Sequence, residues 1–183
     1  MNTVEPIRDK ELVKDLHDYL KSKNPRNALM FAFGIYTGLR ISDILNFRVR
    51  DVRNKEFISI REKKTKKEKL ILINKYLRSQ IDEYINGMKD FEYLFKSPHE
   101  LNKPISRQQA YNILKDAAKQ FSIESMGCHT PRKTFGYMTY KKTKDVAQLM
   151  DIYNHTNPNI TLRYIGVNQD TKNKIYNEID ILE

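Results

Sequence analysis

One cysteine, Cys128, stands in a chain of 183 residues. That excludes an internal disulfide and leaves no Cys-rich zinc site to build, as suits a reducing compartment. No uninterrupted apolar run is long enough to cross a bilayer. The opening MNTVEPIRDKEL lacks the apolar centre of a signal peptide. These absences point to a cytoplasmic protein without a membrane partner. Repeats, low-complexity tracts and linkers are missing as well, so the chain reads as one compact unit. Acidic residues are in deficit: 23 Asp and Glu face 33 Lys and Arg, a formal charge of +10. No acidic cluster is suited to hold Mg²⁺. The basic excess implies a polyanionic partner, nucleic acid ahead of an anionic membrane, or else only solvated lysines.

What is present is periodic. Leu12, Leu16 and Leu20 recur at helical spacing in a first helix. Asn24 caps a second, with Pro25 at its first position, through the apolar RNALMFAFGIYTG as far as Gly38. That helix is apolar on most sides, which places it at the centre of the core. RISDILNF reads as a short third helix. The β-branched EFISI and KLILI flank REKKTKKE and read as a hairpin with a basic tip, to which EYLFKS could add a third strand. Asn74 and Ser106 cap two further helices. Thr130 and Pro131 begin another, KDVAQLMDIYN follows with Val146, Leu149 and Met150 turned inward, and an amphipathic helix with Ile175, Ile179 and Leu182 closes the chain. The fold class is therefore α+β and mostly α-helical, with a small antiparallel sheet of two or three strands.

Four stretches carry groups with chemical potential. CHTPRKTFGY sets His129 and Arg132 three apart at a helix start, where they share a face and can converge on one anion beside the helix N-terminus. The other reading is an ordinary helix start. Arg40 follows a Gly-terminated apolar helix, so its head either faces a ligand or covers the helix end with its stem. The lysines at the hairpin tip reach phosphates, supply a proton, or merely solvate a turn. NHTNPNITLRYIG brings His155 close to Tyr164, one of 11 tyrosines; a packed histidine and a core tyrosine are the alternatives.

Taken in order and spacing, TGLRISDIL, the strand-flanked KKTKK, HTPRKTFGY and NHTNPNITLRYIG resemble the catalytic domain of the tyrosine recombinases, the phage integrase family. The resemblance runs from about Ile7 to near the C-terminus. It implies that Arg40 and Arg132 clamp the scissile phosphate, that His129 and His155 are the active-site histidines, and that Tyr164 is the nucleophile. The hairpin lysine matches best at Lys64, with Lys63 and Lys66 as alternatives in the same run. Lys63, Lys66, Lys103, Arg107, Gln108 and Arg163 are the candidates for DNA contacts. The family's additional N-terminal core-binding domain is expected to be absent from 1–183, which would weaken DNA binding and make it salt-sensitive.

The implied chemistry is coherent. Two guanidinium forks neutralise a phosphodiester that otherwise repels nucleophiles. A phenol of pKa about 10 needs a base or a strong positive field to attack. A 3′-phosphotyrosyl bond preserves the energy of the broken linkage, so no nucleotide, metal or other cofactor is required. The partner is double-stranded DNA, with self-association into a synaptic tetramer on it and a monomer or weak oligomer without it. A catalytically idle DNA-binding domain of the same fold and a type IB topoisomerase-like strand passage are the competing functions.

Overall fold

Side-chain caps divide the N-terminal third. In the computed structural model, which describes residues 4–61 and 68–180, Asp9 accepts a hydrogen bond from the Glu11 amide and opens α1, Lys10–Lys23. Asn24 accepts from the Arg26 amide and opens α2, Pro25–Thr37. Leu16 and Leu20 fill the buried face of α1. Nearly every side of α2 is enclosed, and Phe33 meets the rings of Phe47 and Phe95. This helix is the post around which the rest of the chain packs. Gly38 ends it at φ 66°, in the left-handed region where a Cβ is penalised.

A short helix α3, Ile41–Ile44, leads to a 3-10 turn at Val49–Asp51. Strands β1, Phe57–Arg61, and β2, Glu68–Leu72, pair antiparallel with Ile58 opposite Ile71 and Ile60 opposite Lys69. Ile58 is fully buried, while Phe57, Leu70 and Leu72 on the other face are exposed. Among the described residues the sheet has these two strands only. EYLFKS does not extend it. Its backbone donors are taken elsewhere: the Leu94 amide bonds the Phe47 carbonyl at 2.8 Å and the Ser97 amide bonds the Lys103 carbonyl at 2.7 Å. The segment makes two isolated bridges instead, Tyr93 with Arg48 and Lys96 with Pro104.

Asn74 caps α4, Lys75–Tyr84, and a reciprocal Ser106–Gln109 capping box opens α5, Arg107–Gln120. The last third holds α6, Thr130–Thr143, α7, Val146–Tyr153, α8, Pro158–Tyr164, and α9, Val167–Glu178. Thr130 is not the cap of α6. His129 occupies that position without a side-chain bond. The Thr130 hydroxyl turns back to accept from the Gly127 amide at 3.1 Å. In α7 the inward residues are Leu149 and Tyr153, both fully buried, whereas Val146 and Met150 are only half-buried. Residues four apart share a face, and the face begun at Leu149 continues to Tyr153. No residue of α9 is fully buried: Val167 at its start packs against the cluster of Leu149, Tyr153 and Ile165, whereas Ile175 and Ile179 farther along stay exposed; Leu182 lies outside the described residues. None of the described helices is long and apolar enough to cross a membrane.

The start of the chain straps this last third together. Ile7 is buried, and its amide donates to the Thr134 hydroxyl at 2.9 Å. Arg8 pairs with Asp170 on α9 at 2.7 Å and with Glu5 at 3.0 Å. The fold is thus mostly helical with a small antiparallel sheet.

Candidate active site

The site forms where α6 crosses the end of α2. A Cβ on Gly34 would overlap Pro131, and one on Gly38 would press into the Phe135 ring. The two helices therefore approach closely because α2 offers no side chains there. That approach brings Arg132 alongside Gly38, whose carbonyl accepts from the Arg132 guanidinium. Arg132 is only 5% exposed. Its guanidinium carbon lies 4.3 Å from the centre of the Tyr153 ring, and its own carbonyl accepts from the Tyr153 hydroxyl at 2.7 Å. Arg40 stands two residues beyond Gly38, exposed at the head of α3. Its positive field reaches His129, Arg132, His155 and Tyr164.

The turn between α7 and α8 supplies the rest. Asn154 adopts φ 57° and ends α7, after which the His155 amide bonds the Met150 carbonyl at 2.9 Å. His155 Nδ1 sits 2.9 Å from the Thr161 hydroxyl, which is fully buried. With that hydroxyl donating, Nδ1 is the acceptor and Nε2 keeps the ring proton, free to donate to an anion. Asn157 caps α8 and Pro158 takes its first position, so the short helix carries Tyr164 as its final residue. The Tyr164 ring lies edge-on to His155 at 5.5 Å and to Tyr153 at 5.2 Å. Its hydroxyl is within hydrogen-bonding reach of Arg132. The Lys133 ammonium sits 5.1 Å from the centre of the same ring and donates to the Val4 carbonyl at 2.8 Å. On β2, Lys69 donates to the Asp151 and Ile152 carbonyls at 3.1 and 3.3 Å, tying the sheet to the end of α7.

Electrostatics divide the titratable groups. Burial raises the Tyr164 phenol above its ordinary range, and the opposing pull of Arg132 and Arg40 does not cancel that. The phenol is therefore protonated at neutral pH and needs a base. Partial burial, with the positive charges of Arg107, Arg132, Lys133 and Arg40, holds His129 below its usual value. His155 is lowered by burial, then by Arg132 and Arg40. Both imidazoles are neutral at pH 7, and the unfolded chain takes up their protons first. Folding stability should accordingly fall as pH drops from about 7.5 through about 6.5 to about 5.5. Urea midpoints across that range check this, and the double variant His129→Gln, His155→Gln should flatten the slope.

Arg40, His129, Arg132, His155 and Tyr164 are thus gathered in one region. Arg107 stands beside it, close enough for its charge to act on His129. Gln108 is engaged on its own helix, donating to Asn112 at 3.0 Å, and Lys103 is paired with Glu100 at 2.7 Å. Arg163 is exposed next to Tyr164. Lys63, Lys64 and Lys66 lie outside the described residues. Sequence reasoning passed over Tyr153, Lys133 and Thr161. Thr161 and Tyr164 are three apart on α8, a spacing that was there to be read. Lys133 offered no signal, since neighbours one apart do not face each other along a helix.

Gly136 makes the arrangement possible. A Cβ there would overlap the Tyr153 hydroxyl and sit 2.7 Å from Ile165 Cγ2. Gly136→Ala gains about 1 kcal/mol of helix propensity. It also forces two buried side chains apart, at a cost of about 1–3 kcal/mol. A net loss in denaturant midpoint is the expected result.

The sequence and fold have relatives. The profile described as the phage integrase family matches residues 7–171. The chain belongs to the phage integrase family. Among curated relatives, a probable integrase/recombinase, YoeC, of Bacillus subtilis is 50% identical over 176 residues, spanning 96% of this chain and 97% of that one. A tyrosine recombinase of Pseudothermotoga lettingae is 25% identical over 193 residues, 97% of this chain but 66% of its own length. Of solved structures, XerA recombinase superposes with a TM-score of 0.74 at 20% identity, covering 95% of this chain and 65% of that one. XerH recombinase in a post-cleavage complex with a palindromic difH substrate gives 0.71 at 15% identity, covering 89% and 49%. These likenesses are to the integrase-family fold, and the chain spans about half to two thirds of the longer relatives.

Proposed function

We propose that this integrase-family chain is a site-specific DNA recombinase that cuts and rejoins duplex DNA through Tyr164. The observation that carries the reading is the Tyr164 hydroxyl facing the buried Arg132 guanidinium, with His155 against its ring. A phenol held there meets a phosphodiester already gripped by two arginines. The phenolic oxygen attacks phosphorus, the bond from phosphorus to the 5′ oxygen breaks, and a 3′-phosphotyrosyl bond replaces it. Arg40 and Arg132 neutralise the charge that grows on the non-bridging oxygens, and His155 Nε2 donates to one of them. The phenolic proton passes to neutral His129. The departing 5′ oxygen takes its proton from Lys64. Attack by that 5′ hydroxyl, or by another in its place, reverses the step and restores phenol and DNA.

No nucleotide or metal enters this scheme, because one phosphodiester is exchanged for another of similar energy. Arg107, Arg163, Lys103, Gln108, Lys63 and Lys66 contact the duplex around the site. The exposed Ile175 and Ile179 pack on a second protomer when recombinase molecules assemble on DNA. The setting is the cytoplasm, where the DNA is. A pool of nicked duplexes with randomised arms tests the reading. Cleavage a few nucleotides 5′ of a nick in the same strand releases a short strand with its 5′ hydroxyl, so the covalent complex is trapped. Protein-linked DNA resistant to denaturation, recovered and sequenced, is the expected result and defines the site. Retarded duplexes that never become protein-linked would leave a DNA-binding module instead.

A further inference from the structure

We propose that Tyr153 is a positioning residue for strand transfer, acting as the plate that holds the Arg132 guanidinium in place against the scissile phosphate. The inference rests on the recombinase reading above. Tyr153 is 1% exposed and touches no solvent-borne ligand, so it acts only through its neighbours. Its ring carries the Arg132 guanidinium at 4.3 Å, while its hydroxyl donates to the carbonyl of the same residue at 2.7 Å. Arg132 is therefore located at both its head and its main chain by one side chain. The same ring meets Tyr164 edge-on at 5.2 Å and His155 at 5.5 Å. The Arg132 guanidinium is the charged group seated on this ring, and the two aromatic neighbours only flank it. An aliphatic residue would fill the same volume, yet its surface has no negative face to seat a cation. The absence of a side chain at Gly136, which leaves room for the Tyr153 hydroxyl, shows that the helices are spaced for this tyrosine.

Tyr153→Leu separates positioning from packing, using nicked duplexes recovered from the pool described above. On a duplex with an ordinary scissile phosphate, its single-turnover cleavage rate should fall about thirtyfold, the worth of a desolvated cation–ring contact. A methylphosphonate at the scissile position lacks the charge that Arg132 neutralises. There the Leu variant should stay within about threefold of the unsubstituted protein, because the misplaced guanidinium no longer matters. Tyr153→Phe keeps the ring and should stay within about threefold on both duplexes. Tyr153→Met replaces Leu, with the same expected pattern, where circular dichroism shows the Leu variant unfolded. Equal losses on phosphate and methylphosphonate would mean that the residue only supports the fold, and would overturn the proposal. So would a Phe variant as impaired as the Leu variant, or a Leu variant with no loss. Failure of the unsubstituted protein to form any adduct refutes the recombinase reading itself and takes this inference with it.

Discussion

Tyr164→Phe should bind the nicked duplex and never become joined to it. The substitution removes one oxygen and keeps the ring, so the contacts with His155, Tyr153 and Lys133 survive. Stability should change by about 1 kcal/mol at most, the net worth of one hydrogen bond. The proposed DNA contacts are arginines and lysines that the change leaves in place, and removal of a protonated phenol alters no charge. Chemistry, by contrast, loses the proposed nucleophile outright. Cleavage should fall by at least about 10⁵-fold, in practice below detection. A denaturing gel reads the adduct and a native gel reads the complex on the same sample. An adduct formed by the Phe variant would mean that another group attacks, and the tyrosines nearby would have to be tested in turn.

Arg132 should be the next most costly residue, and for two separable reasons. In the proposed reaction it is a donor aimed at developing charge, and removal of one such donor typically costs about 10²–10³-fold. It is also a buried structural cation, donating to the Gly38 carbonyl and seated on Tyr153. Arg132→Ala leaves that carbonyl unpaired inside the protein and should lose about 1–3 kcal/mol of stability besides its activity. Arg132→Lys distinguishes the two losses. A single ammonium keeps the charge but cannot bond Gly38 and a phosphate oxygen with the geometry of a planar fork. The Lys variant should therefore fold well and still cleave about 10²-fold more slowly. If it cleaved at the normal rate, the site would need only a point charge, and the fixed fork would have no catalytic meaning.

Much of the architecture was legible because it is written locally. Asn24 before Pro25, Asn74 before α4 and the Ser106–Gln109 pair all act within a few residues of themselves, and each cap is found in place. The all-round apolar character of α2 placed it in the centre, where it lies. Expectations failed where long-range partners decided the outcome. EYLFKS has strand-like composition, but Phe47 and Lys103 take its backbone donors before the sheet can. Thr130 is a good cap by type, yet Gly127 claims its hydroxyl.

Sequence alone determined the fold class, the helix starts at Asn24, Asn74 and Ser106, the basic excess and the spacing of His129 from Arg132 and of His155 from Tyr164. Those follow from propensity, capping and periodicity, all of which operate over a turn or two of chain. Tertiary structure decided that Arg40 and Arg132 share one field, that Lys133 sits over the Tyr164 ring, and that Tyr153 rather than Met150 turns inward. Each of these depends on how closely α2, α6 and α7 approach, set by missing side chains at Gly34, Gly38 and Gly136. A glycine in a string of letters does not announce which neighbour it admits; only the packed helices do.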